Sequence, residues 1–342
     1  MRFRIPLITL TAGVLVAAAF TFLVGCKSKA TAKPAEIRIG FQVSPNGELL
    51  AKALGLAEQK FPGIKVSWKQ FDSGRDVNTA IAAGGIDFGL VGTPPGAAGV
   101  ARGLPYQVYY FHDIIGTSEA LVVKTKANIK SIQDLKGKKI ATTFGSTSHF
   151  SLLSALRLGG VNPADVTLLD LQQPDLIAAW QRGDIDGGYV WQPTQAKLVN
   201  AGGVVITDSG KLADQGAVTG EFGVVRTAFA SQYPQIVADY ISVLDQAVRK
   251  YRSDPQASAQ ALSKELGLSP ADSLKAMTEI IVLDASQQAD PKYLGTPGKP
   301  GAFAQLLKDT ADFLVVQKSL QSAPALATFQ QAIYNTPYAA NK

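Results

Sequence analysis

The chain is poor in the residues that carry most enzyme chemistry. Among its 342 residues it has one cysteine and two histidines. A single cysteine closes no internal disulfide, so nothing is stapled through sulfur. His112 and His149 alone make neither a zinc cluster nor an imidazole relay. There is no Gly-x-Ser-x-Gly elbow, no phosphate loop ending in Gly-Lys-Ser/Thr and no paired-cysteine motif. Asp184 and Asp186 alternate at a strand entry, face opposite ways and cannot share a proton. No catalytic residue, metal site or cofactor is expected. Lysine and arginine exceed aspartate and glutamate by 33 to 27, but they form no stripe and interleave with no aromatics, which excludes a nucleic-acid surface.

The one long apolar run is N-terminal. Arg2 and Arg4 precede Ile8 to Val24, and the run ends at Gly25-Cys26. A basic start, an apolar core and small residues at the cut make a secretory signal. The end of the run resembles the lipobox of bacterial lipoproteins, in which the cysteine is acylated. Residues 1–25 then read as a lipoprotein signal peptide, Cys26 as the lipidated residue that tethers the chain to a bilayer, and 26–35 as a polar leash. The mature protein is expected at the periplasmic or extracellular face of the cell membrane.

From residue 36 strands and helices alternate. Glu36 to Phe41 alternates with period two and breaks at Ser44-Pro45-Asn46-Gly47 before a helical pattern. Ile64 to Trp68 and Asp87 to Val91 are further strands, separated by a helix from Asp76 to Ala83. This order argues α/β layers with mainly parallel sheets and flanking helices. Ala80 to Gly89 resembles Ile177 to Gly188: each reads as a helix end, a glycine cap, then Ile-Asp and a strand of small residues. The repeat suggests two lobes on one plan, with a single large sheet as the alternative. Ligands of open α/β sheets bind beyond the carboxyl ends of strands. A cleft between lobes would draw on Gln42-Val43-Ser44, Gly92-Thr93-Pro94, Ser146-Thr147-Ser148 and Tyr189-Val190-Trp191. From Ser231 onward, helical segments punctuated by Pro234, Pro255, Pro270 and Pro291 read as scaffold.

Phe144 to Leu153 carries three small hydroxyl residues from a glycine turn into a helix start. Unpaired amides and the positive end of the helix dipole make such a start an anion site, and equally Ser and Thr are ordinary N-caps there. The residues together describe an exported, tethered, two-lobed binder of a small polar anion.

Phe71-Asp72-Ser73-Gly74, Gly92-Thr93-Pro94-Pro95, Ser118 to Val123, Asp134 to Ile140, Ser146 to His149 and Ile177 to Trp191, in this order, resemble the taurine-binding proteins of ABC importers. These belong to the nitrate, sulfonate and taurine class of solute-binding proteins. The resemblance implies a two-lobed type II periplasmic-binding fold. Lobe I would be 36–118 and 224–342, lobe II 119–223, with hinges near Thr117-Ser118-Glu119 and Glu221-Phe222-Gly223. Closure would trap taurine or a related aminosulfonate and deliver it to a permease driven by an ATPase. An alkanesulfonate, nitrate or another small anion is the alternative, followed by an enzyme of the same fold in thiamin-precursor synthesis.

By the same resemblance Thr93, Thr147, Ser148 and His149 would take the sulfonate, Glu221 the ammonium, and Trp191 would cover the carbons between or face the cation. Gln42, Ser44, Glu119 and Asp186 complete the candidate ligand set. His149 alternatively packs on its own helix, and Glu221 is alternatively a hinge residue. The family pattern has Asp where Glu221 stands, an acid at Asn46 and a small residue at Arg75. An arginine there either meets a more strongly charged anion or lies in solvent.

Overall fold

The computed structural model describes residues 33–338. The lipid-anchor reading at Cys26 lies outside the described residues.

The first lobe is built on a sheet of β1 (Glu36–Phe41), β2 (Lys65–Gln70), β3 (Phe88–Gly92), β4 (Tyr106–Ile115), a later strand Gly220–Arg226 and a short edge strand Ile280–Val282. The second lobe follows β4 directly, with β5 (Glu119–Lys124), β6 (Lys139–Thr142), β7 (Thr167–Asp170), β8 (Gly187–Trp191) and β9 (Gly203–Asp208). In chain order the returning strands of the first lobe are β10 (Gly220–Arg226) and β11 (Ile280–Val282). Strand order is β11-β4-β10-β3-β1-β2 in the first sheet and β7-β6-β8-β5-β9 in the second.

Both sheets are mixed rather than mainly parallel. β1 runs parallel to β2 and β3, and β6 parallel to β7 and β8. β10 is antiparallel to β3 and β4, and β5 is antiparallel to β8 and β9. The antiparallel members include the strands that carry the chain out of one lobe and back. β10 begins at Gly220, so Glu221 to Gly223, expected at the second hinge, are strand residues of the first sheet. Phe222 and Val224 hold them there, fully buried in the main core with Phe88, Tyr109 and Tyr240. Burial of each such side chain is worth about 1.5–3 kcal/mol.

Small residues decide how closely one helix seats. In Thr93–Ala101, a Cβ on Gly96 would lie 2.0 Å from the Phe222 ring and one on Gly99 1.9 Å from the Tyr106 hydroxyl. Only glycine lets the helix drop onto β10 and β4, which brings Thr93 to the carboxyl end of β3. The C-terminal helices, including Pro234–Ser253 with proline in its first turn, mainly cover the first lobe. They are more than scaffold, because Phe313 packs on Phe150 of the second lobe at 4.6 Å between centroids.

Candidate functional site

Two helix starts face each other across the cleft. In the second lobe Gly145, at φ +78°, turns the chain after β6 so that Ser146 caps the helix Thr147–Leu158. Ser146 Oγ accepts from the His149 amide and donates to Thr143 O at 2.6 Å. That hydroxyl is therefore the ordinary N-cap. The next two are not used in this way. Thr147 Oγ1 donates to the Glu119 carboxylate. Ser148 Oγ is buried and makes no well-aligned hydrogen bond. In the first lobe Thr93 opens its helix, and its Oγ1 is likewise buried without a partner among the described residues. The two starts nearly touch: a Cβ placed on Gly92 would stand 2.5 Å from Thr147 Cγ2.

Carboxylates line the other side. Ser44, Glu119, Trp191 and Glu221 share a small, partly enclosed cavity of about 10 Å³ with Ser118 and Gln192, room for one water. Glu221 Oε2 accepts from Ser44 Oγ and Asn46 Nδ2, both at 2.9 Å. Asn46 also caps the helix Gly47–Ala53, its Oδ1 accepting from the Leu49 amide at 3.0 Å. Asparagine in place of an acid thus supplies a donor to Glu221 where a carboxylate would repel it. Glu119 accepts from Ser209 Oγ at 3.2 Å as well as from Thr147. Burial pushes Glu119 up to about 8, against the pull of the Thr147 hydroxyl and with the Glu221 charge adding to the rise. Burial raises Glu221 too, opposed by Asn46 and Ser44. Glu48, behind Asn46, is pushed up to about 8 by burial although the Tyr240 hydroxyl donates to it at 3.0 Å.

Gln42 lies beside this cavity rather than in it. Its Nε2 donates to Leu90 O at 2.8 Å, and it lines a neighbouring groove of about 380 Å³ that Trp191 also borders. His149 points the other way from the hydroxyls. Its ring stacks on Phe144 at 4.4 Å and 13°, Nδ1 accepts from the Gly145 amide, and burial lowers its pKa to about 4. The neutral ring borders a larger outer cleft of about 730 Å³ that also holds Arg75 and Pro94.

Asp186 is not brought to the cleft. It precedes β8, at the amino end of the sheet, where its Oδ2 accepts from the Lys139 amide at 2.9 Å. Asp87, its counterpart in the repeat, does the same for the Arg38 amide at 3.1 Å. The repeated Ile-Asp is thus a device for locking adjacent parallel strands. Arg75 is committed as well: Nη1 donates to Asp170 Oδ2 of the second lobe at 3.0 Å.

Sequence reasoning missed Ser209 and Asp113. Ser209 begins a short helix after β9, and nothing local marks it as a partner of Glu119. Asp113 sits in the otherwise apolar end of β4, directly across the ladder from Glu221. An acid in a buried run was its only signal.

Residues 44–258 match the family described as NMT1/THI5 like. The chain is 38% identical over 224 residues to the taurine-binding periplasmic protein of Escherichia coli K12, covering 66% of this chain and 69% of that one. The alkanesulfonate-binding protein SsuA from Xanthomonas axonopodis pv. citri, solved with MOPS, superposes with a TM-score of 0.75 at 26% identity, over 89% of this chain and 99% of that one. The periplasmic aliphatic sulphonate binding protein SsuA from Escherichia coli gives 0.69 at 27% identity, over 86% and 92%. With its two mixed, helix-flanked sheets arranged as a type II periplasmic-binding fold, the chain belongs to the NMT1/THI5-like family and is a solute-binding protein related to the taurine- and sulfonate-binding proteins.

Proposed function

We propose that the protein captures a sulfonate-type anion between its lobes and hands it to an ABC permease, itself catalysing nothing. The observation that carries this reading is the pair of buried hydroxyls, Thr93 Oγ1 and Ser148 Oγ, that make no well-aligned hydrogen bond among the described residues, at two facing helix starts. A sulfonate has three oxygens to satisfy, and hydroxyls with helix-start amides supply charge-assisted donors without a basic side chain. A buried hydroxyl left without a partner costs about 1–3 kcal/mol, which an arriving acceptor relieves. No imidazole activates these hydroxyls among the described residues: Thr147 and Ser209 bond Glu119, and His149 Nδ1 is taken by a backbone amide.

Within that class we assign an aminosulfonate such as taurine. Glu119 bonds Thr147 at the anion end and shares a cavity with Glu221, and an ammonium is the complement they lack. Trp191, in register with Glu119, would cover the carbons between. The likeness to the alkanesulfonate-binding structures supports a second reading, in which the acids stay protonated and the ligand has no amine. A paired titration separates the two. Glu221→Gln is expected to weaken taurine by roughly 2–5 kcal/mol and to leave ethanesulfonate unharmed. Equal losses for both ligands would make Glu221 a structural residue, and a native preference for ethanesulfonate or nitrate would remove the aminosulfonate assignment.

The lobes exchange chain after β4 and before β10, and closure there presents the loaded form to the permease. Acylation of Cys26 would hold the protein at the membrane face where that permease sits. Cys26→Ser should release it from the membrane fraction or leave the precursor uncut, and an unmodified mature Cys26 in mass spectrometry would rule the anchor out.

A further inference from the structure

Asp113 is fully buried, and among the described residues neither of its carboxylate oxygens makes a well-aligned hydrogen bond. It faces Glu221 on β10 and Val282 on β11. Ser44 and Asn46 both engage Oε2 of Glu221, which leaves Oε1 without a donor among the described residues. Two carboxylates opposed in a buried ladder do not both stay ionised. Of the groups around Asp113 only the Glu221 backbone amide pulls against its protonation, and the titratable ones do not. Glu221 and Glu119 add negative charge. Tyr251, from the helix Pro234–Ser253, has its hydroxyl on Pro45 O and Met277 O, both at 2.8 Å. Glu48, beyond Glu221, is itself a buried acid, and β11 contributes only Ile and Val. His112, the neighbour on the same strand, is neutral, since burial drops its pKa to about 3.

We propose that Asp113 is the positioning residue of the cation end: it holds a proton on the edge it shares with Glu221, and a ligand ammonium docking on Glu221 expels that proton. The Asp113 O–H bond breaks and the proton passes to solvent, while N–H donors of the ammonium replace it at the pair. The cation end exchanges one positive charge for another, so the net charge of that end is unchanged by binding. Burial, with the Glu221 charge adding to it, holds the Asp113 acid well above the ordinary carboxyl range, as a proton store requires. Only a ligand that brings its own cation can displace the proton, so the pair selects amine-bearing sulfonates.

This inference rests on the reading that Glu221 meets a ligand cation. The test is calorimetric titration of the mature protein with taurine in phosphate and in Tris, whose ionisation enthalpies differ. Release of about one proton per taurine is expected, and none with ethanesulfonate. Affinity for taurine should rise about tenfold per pH unit while the pair still holds its proton. In Asp113→Asn, checked for folding by thermal unfolding, the buffer dependence should vanish and the pH slope flatten while taurine still binds. Taurine binding by the native protein with the same enthalpy in both buffers would overturn the proposal, and needs no variant. Undiminished proton release in Asp113→Asn would overturn it by moving the proton to another acid. Failure to bind taurine while binding ethanesulfonate would instead sink the cation reading underneath it.

Discussion

Arg75 and Asp170 meet across the mouth of the cleft, Nη1 to Oδ2 at 3.0 Å, joining the helix Gly74–Ala82 of the first lobe to the end of β7 in the second. Gln172 Nε2 adds a parallel tie to Asp76 at 3.1 Å. Asp170 is held in place by the Phe144 amide, which donates to its Oδ1 at 2.8 Å. The arginine is therefore a latch between lobes. Both partners are more than a third exposed, so the pair is worth roughly 0.2–1 kcal/mol and is weakened by salt. Arg75→Ala is expected to speed ligand release by about two- to fivefold, with ligand preference unchanged, and Asp170→Asn should add nothing further. Stopped-flow dissociation measures this. A variant that changes which anion is preferred would place Arg75 on the ligand.

Gly92 and Thr147 set how far the lobes close. The backbone at Gly92 is extended, so alanine is tolerated locally, but its Cβ would run into Thr147 Cγ2 at 2.5 Å. The clash exists only between lobes. Gly92→Ala should leave the melting temperature of the ligand-free protein within about 2 °C while lowering affinity roughly tenfold or more. Adding Thr147→Ser removes the offending methyl and keeps the hydroxyl on Glu119, so affinity should return. A double variant as weak as the single one would show that Gly92 acts through something other than closure.

The sequence made some of this visible and hid the rest for physical reasons. Strands β1 and β3 and the glycine-freed helix start at Thr147 are local patterns, and a chain shows local patterns on its face. The direction of β10 is not local. Its run of buried residues from Phe222 to Val225 reads the same whether it pairs parallel or antiparallel, and the partner strand β4 ends before the second lobe begins. Arg75 and Asp113 were opaque for the same reason, since each is explained by one residue far along the chain. The repeat around Asp87 and Asp186 was plain to read, yet its purpose is structural. Both acids take the amide of a neighbouring strand at the end away from the cleft.

The anion end is tested by removing hydroxyls while sparing amides. Ser148→Ala and Thr93→Val each delete a buried hydroxyl that makes no well-aligned hydrogen bond among the described residues. Each should cost about 1–3 kcal/mol in sulfonate affinity. Neither should destabilise the ligand-free protein, and a small gain is expected because an unpaired polar atom is gone. Titration together with thermal unfolding checks both halves. Unchanged affinity in both variants for every sulfonate tried would remove the anion from these helix starts.

Buried acids make the ligand-free protein sensitive to rising pH. Burial lifts Glu48 and Glu119 from the 4.5 of a free side chain to about 8. For an acid raised in the folded state, the folded form binds the proton more tightly than the unfolded chain does. The contribution is complete below about pH 4.5 and is lost as pH climbs through about 8. Asp87 does not offset this. Burial raises it, but the Arg38 and Arg226 hydrogen bonds outweigh burial and set it below 3.8, so its effect is felt only in stronger acid. The melting temperature without ligand should therefore fall between pH ~5 and ~8.5, on the order of 5 °C or more. Glu119→Gln keeps an acceptor for Thr147 and carries no titrating proton, so its melting temperature should fall less steeply and lie above the native value at the alkaline end. A native profile that is flat or rises across this window would mean that these acids are solvated and ionised in the folded protein.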